Sequence, residues 1–111
     1  MALREEIQSH PEIFKELCRS HKVKYVYAFG SSLTERFDEN TSDIDLLVDI
    51  DAPDPVERGE KLMSLWDKLE AFFHRKVDLL TESSIKNPFL RKSIDATKVL
   101  IYDGSGEKVF V

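Results

Sequence analysis

The residues best suited to chemistry are the two aspartates in Ser42-Asp43-Ile44-Asp45-Leu46. Side chains two apart on an extended strand share one face, with Cα atoms roughly 7 Å apart. The carboxylates of Asp43 and Asp45 can therefore lean together on one site. Hard divalent cations such as Mg²⁺ take oxygen ligands, and a few carboxylates suffice when water and phosphate complete the shell. Paired magnesium ions in phosphoryl-type transfer sit about 3.5–4 Å apart, a span that aspartates can bridge. Upstream, Gly30-Ser31 ends an apolar stretch. Glycine lets a ligand approach the backbone closely, and N–H groups at a helix start suit anionic phosphates. Ser31 adds a hydroxyl donor and Ser32 a second. Asp78 lies in the apolar run Val77-Asp78-Leu79-Leu80, where a charge needs a partner or a ligand. These residues point to metal-dependent chemistry on a nucleoside triphosphate. The competing reading is a solvated outer face. It fits Asp49 and Asp51, and for Asp78 alone it weighs as much as the functional one.

These residues need a sheet to hold them. Residues 24–29 are β-branched and aromatic and read as a strand, which Gly30-Ser31-Ser32 stops. Residues 33–37 read as a short helix and 38–42 as a polar loop. Residues 43–51 alternate, with Ile44, Leu46, Val48 and Ile50 on the buried side, so this is a strand with one buried face. Residues 76–81 read as a third strand, 99–102 as a fourth, and 109–111 as a short return strand or a loose tail after the turn at 103–106. Ser9 and Glu12, three apart around Pro11, predict a capping box opening a helix with Ile13, Phe14, Leu17 and Cys18 inward. Asp54-Pro55-Val56-Glu57 predicts a second capping box with proline at the first helical position, opening a helix continued by Leu62, Trp66, Leu69 and Phe73. Asn87-Pro88 starts a last helix with Phe89, Leu90 and Ile94 inward. One sheet with helices packed on it is the simplest architecture.

The chain has 111 residues, enough for one domain over 1–111 and one core, with no room for a separate substrate domain. With 41% hydrophobic and 33% charged residues it reads as a soluble globular protein. A net charge of −5 argues against direct nucleic-acid binding but not against a nucleotide, since Mg²⁺ can bridge acidic protein and acidic ligand. A single cysteine, Cys18, suggests a reducing, cytoplasmic setting, and its apolar neighbours suggest a buried hydrophobe. The charged N-terminal stretch has no signal-peptide pattern, and no apolar run is long enough for a membrane span. His10, His21 and His74 lack ligand spacing and read as surface or capping residues.

Phe29-Gly30-Ser31, then Ser42-Asp43-Ile44-Asp45-Leu46-Leu47-Val48, then the strand carrying Asp78, resemble the DNA polymerase beta-type nucleotidyltransferase superfamily. The branch most resembled is the minimal nucleotidyltransferases, the MNT domain proteins, and the likeness covers nearly the whole chain. It implies an α+β, two-layer nucleotidyltransferase fold, a mixed sheet with helices packed on one face. It implies transfer of a nucleoside monophosphate from a triphosphate, with Gly30, Ser31 and Ser32 binding the nucleotide. Asp43, Asp45 and Asp78 would be the catalytic and metal residues, holding Mg²⁺ (two ions), with ATP as substrate. It further implies an antitoxin paired with a HEPN-domain ribonuclease toxin that receives AMP on a tyrosine. The chain departs from the family pattern after Gly-Ser: Arg36 is followed by Phe37, not glycine, and reads as a solvated helix-end residue. Two other functions are weighed. One is a non-catalytic module that neutralises its partner by occlusion. The other is a small-molecule nucleotidyltransferase, which the short chain disfavours.

Overall fold

The computed structural model describes residues 2–29 and 44–110. Their elements are α1 (Ala2–Ser9), α2 (Pro11–Ser20), β1 (Val23–Phe29), β2 (Ile44–Ile50), α3 (Pro55–Phe73), β3 (Val77–Leu80), α4 (Pro88–Thr97), β4 (Val99–Asp103) and β5 (Lys108–Val109). A 3₁₀ turn at Glu82–Ser84 joins β3 to α4. The expected short helix at 33–37 and loop at 38–42 lie outside the described residues.

The five strands form one sheet in the order β3-β2-β1-β4-β5. β2 pairs with β3 in parallel, through the α3 crossover, and the other neighbours are antiparallel. The sheet is therefore mixed and the class α+β, as the resemblance implies. β5 shows that the chain does pair back after the turn.

The main core lies between the sheet and α1 to α3. Ile44, Leu46 and Val48 of β2 and Val77 and Leu79 of β3 meet Phe14, Leu65, Leu69 and Phe73 there. Each such side chain contributes about 1.5–3 kcal/mol of burial. The layering has a second part. Leu47, which the alternation sends to the outer face, is fully buried with Phe29, Ile85 and Ile94. β2 is thus covered on both faces at its centre, and Ile94 is the residue by which α4 packs on the face opposite α1 to α3.

Several local expectations need correcting. The expected order begins with the helix after Ser9, yet α1 precedes it, because Leu3 and Ile7, four apart in a charged stretch, are both fully buried. The Ser9–Glu12 capping box does not form: His10 is the N-cap of α2, and its side chain makes no cap bond. Ile13 is 55% exposed, so the inward stripe of α2 is narrower than expected. Phe89 is 81% and Leu90 43% exposed, leaving Ile94 as the buried residue of α4. α3 opens at the predicted place, with Asp54 accepting a hydrogen bond from the Val56 N–H at 3.1 Å, but the reciprocal half of the capping box is missing, Glu57 Oε1 instead accepting from Lys22 Nζ at 2.9 Å. α4 also opens at the predicted place, with Asn87 Oδ1 accepting from the Phe89 N–H at 2.9 Å.

Candidate active site

β2 and β3 run in parallel with Ile44 opposite Val77, Asp45 opposite Asp78, Leu46 opposite Leu79 and Leu47 opposite Leu80. Ile44, Leu46, Val77 and Leu79 point into the main core, so the alternation turns Asp45 and Asp78 to the other face together. Neighbouring strands lie about 4.8 Å apart, which puts the two carboxylates side by side. Asp45 is half-buried and Asp78 exposed. On the other side of β2, Phe29, the last residue of β1, pairs with Asp45. The residue before Gly30 is therefore fixed beside the aspartate.

Among the predicted site residues the structure brings Asp45 and Asp78 together. Asp43, Gly30, Ser31, Ser32 and also Arg36 lie outside the described residues. Among the described residues no cluster of three or more His, Cys, Asp or Glu could hold a metal ion. Asp45 and Asp78 supply two. Their chemistry, paired carboxylate oxygens on adjacent strands and open to solvent on one side, fits a hard cation such as Mg²⁺ that keeps water and phosphate in its shell.

The edge of the sheet beside Asp78 is closed by α3. The Lys76 carbonyl accepts from the Ile44 N–H at 3.1 Å, so it faces β2. One residue on, the backbone groups of Val77 face outward, as alternation requires. Glu70 Oε2 accepts from the Val77 N–H at 2.9 Å, and Trp66 donates its indole N–H to the Val77 carbonyl at 2.7 Å. Sequence reasoning assigned Trp66 to the core and passed over Glu70. Their i, i+4 spacing on α3, just before a short strand, is the only signal it offered.

Other groups singled out by residue type are structural. Cys18 is buried among apolar side chains, and burial pushes its thiol up to about 12. His21 is buried at the end of α2, with Nδ1 2.7 Å from the Leu17 carbonyl and Nε2 3.0 Å from Ser64 Oγ. The carbonyl only accepts, so Nδ1 carries the proton. A cleft of about 800 Å³ lies near the Val23 end of β1, against Tyr102 and Gly104, away from the Phe29 end that neighbours Asp45. It is not the carboxylate site.

A mixed sheet that sets two aspartates in register on adjacent strands, in a chain whose sequence carries Gly-Ser directly after β1, is the pattern of a nucleotidyltransferase-type protein. The nucleotidyltransferase domain family matches residues 10–101, and the chain belongs to that family. A Methanocaldococcus jannaschii protein named "Putative protein adenylyltransferase" is 38% identical over 99 residues, spanning 89% of this chain and 94% of the relative. A solved structure described as a "putative minimal nucleotidyltransferase" superposes with a TM-score of 0.56 at 24% identity, covering 86% of this chain and 92% of that one. A complex of a tri-AMPylated Shewanella oneidensis HEPN toxin with its MNT antitoxin gives a TM-score of 0.51 at 24% identity, covering 96% and 76%. At that identity the two structures speak for the fold, and the fold is the minimal nucleotidyltransferase one. The chain is a nucleotidyltransferase.

Proposed function

We propose that this chain is a Mg²⁺-dependent protein adenylyltransferase that moves AMP from ATP to a tyrosine hydroxyl of a partner protein, a HEPN-domain ribonuclease toxin, and so acts as its antitoxin. The observation that carries the reading is the register pairing of Asp45 with Asp78 on one face of the sheet. Two similarities support the choice of acceptor and partner: the relative named as a protein adenylyltransferase, and the fold shared with an MNT antitoxin bound to an AMPylated HEPN toxin.

In this reading Asp43, Asp45 and Asp78 hold the metal, and Gly30, Ser31 and Ser32 bind the triphosphate. Bound there, Mg²⁺ supplies positive charge against the triphosphate and the departing diphosphate. The acceptor oxygen forms a bond to the α-phosphorus as the bond from that phosphorus to the β-phosphate bridging oxygen breaks. AMP is left on the acceptor and diphosphate departs. The hydroxyl proton passes to the carboxylate of Asp78, which is open to solvent and so within reach of an acceptor on another protein.

The test is to incubate the purified chain with ATP, Mg²⁺ and a HEPN-domain toxin, and to read the intact mass of that protein. A mass increase of one or more AMP groups, lost with Asp45→Asn, is expected. No adduct, with the partner still neutralised by the Asp45→Asn chain, would favour occlusion instead.

A further inference from the structure

Of the two described aspartates of the proposed site, Asp78 is the more exposed. β3 is only four residues long, Val77–Leu80, and among the described strands it lies at the edge of the sheet, paired on one side by β2. Edge strands carry a row of unpaired backbone groups and are the part of a sheet that most easily shifts or frays. A slip of one residue would turn Asp78 into the core face and Val77 or Leu79 out. Something must hold this short strand in register.

Resting on the proposed metal role of Asp78, we infer that Trp66 and Glu70 are positioning residues for that aspartate. One backbone donor and one backbone acceptor of β3 face outward at Val77, next to Asp78 in the chain. Both are taken by α3: the donor by Glu70 Oε2 at 2.9 Å and the acceptor by the Trp66 indole N–H at 2.7 Å. Both contacts are partly buried, so water competes with them poorly. The ring of Trp66 packs on the main core, which anchors the donor. The two side chains act as an artificial neighbouring strand: they reproduce at one residue what a sixth strand would give the sheet. Both bonds also select the register. If β3 moved by one residue, the groups facing α3 would belong to Lys76 or Asp78, and the aspartate would lose its place opposite Asp45. Trp66 and Glu70 act through the backbone of the strand that carries the carboxylate.

The variants Trp66→Phe, Glu70→Leu and Glu70→Gln separate this role from general packing. Phenylalanine keeps an aromatic ring against the core but removes the N–H together with part of the indole, so the melting temperature is read beside the binding to account for the lost packing. Glutamine keeps a carbonyl oxygen that can accept from Val77, and leucine removes it. Mn²⁺, in the presence of a non-hydrolysable ATP analogue, serves as the probe of the metal site in the full-length chain, with Asp78→Asn as reference. Hydrogen exchange at the Val77 amide reads the strand directly, and circular dichroism reads the melting temperature. Outer-shell partners of metal ligands typically change affinity by about 10–100-fold. Trp66→Phe and Glu70→Leu are expected to weaken Mn²⁺ binding by roughly tenfold. Glu70→Leu is expected to speed Val77 exchange, and Glu70→Gln to restore both readouts. Asp78→Asn should weaken Mn²⁺ binding with Val77 exchange unchanged. Faster Val77 exchange with unaltered Mn²⁺ affinity would overturn the positioning role. If Asp78→Asn itself leaves Mn²⁺ affinity intact, the metal role of Asp78 fails, and the inference falls with it. If both substitutions lower the melting temperature and Glu70→Gln restores it without restoring Mn²⁺ affinity, the pair is merely structural and the inference is wrong.

Discussion

At the scale of residues, the proposed site makes a sharp distinction between chemistry and stability. Asp78 is exposed and Asp45 half-buried, so neither aspartate is there to build the core. Asp78→Asn is expected to leave the melting temperature nearly unchanged, within the roughly ±0.5 kcal/mol usual for surface substitutions. It should lower nucleotidyl transfer by about a hundredfold or more, the cost of removing a group that stabilises transition-state charge. A melting curve beside a transfer assay checks both. Cys18 shows the opposite behaviour. Burial raises its thiol from an ordinary 9.0 to about 12. The folded chain therefore holds that proton more tightly than the unfolded one. Its contribution to stability is complete below pH 9, where both states keep the proton, and is lost as pH rises toward 12. Tyr25 acts in the same direction, pushed up to about 12 first by desolvation and then by the charges of Glu82 and Asp49. Urea unfolding should thus give a lower stability at pH 10.5 than at pH 8, falling by at most about 1.4 kcal/mol per pH unit for Cys18. Cys18→Ala should flatten part of that slope. Asp45 and Asp78 were legible in the sequence because a charge inside an apolar strand is conspicuous. That Asp78 would join from a neighbouring strand was legible too; that it faces Asp45 in register was not, since register between distant segments is written in packing rather than in spacing.

At the scale of elements, the glycines separate what is tight from what is loose. The Gly104 N–H donates to the Lys24 carbonyl at 2.7 Å, holding the β4–β5 turn against the start of β1. A Cβ there would lie 2.3 Å from the Val23 carbonyl oxygen, a contact that backbone must move to relieve. Gly59 is in the body of α3, with nothing within 4 Å of a Cβ. Gly104→Ala is expected to cost about 1–3 kcal/mol, as overpacking does. Gly59→Ala should stabilise by about 0.5–1 kcal/mol, the helix preference for alanine. Chemical denaturation of the two variants tests this contrast. The elements themselves were read from periodicity with mixed success. The strands of the site came through because alternation and β-branched residues are strong signals. α1 did not, since two apolar residues in a charged stretch look like a tail until other elements close over them. Its weight is measurable: Ile7→Ala, at a fully buried position, should lower stability by roughly 2–4 kcal/mol. Phe89 and Leu90 misled in the other direction. Helical spacing identifies an apolar face, and only the packed structure shows that Ile94 alone of the three is covered.

At the scale of the whole molecule, the sheet order explains why so small a fold can carry this site. β2 lies between β1, which leads out to Gly30, and β3, which carries Asp78. The two segments that the sequence sets far apart are thereby brought to the two flanks of one aspartate-bearing strand. α3, running between β2 and β3, is both the crossover that allows parallel pairing and the source of the two side chains that close the edge. In the proposed function the partner protein supplies the acceptor, and the chain supplies nucleotide, carboxylates and register. The most direct test is the intact mass of the HEPN partner after incubation with this chain, ATP and Mg²⁺. The account predicts AMP on a partner tyrosine with the native chain and none with Asp45→Asn. An unmodified partner that the native and Asp45→Asn chains neutralise equally well would contradict it.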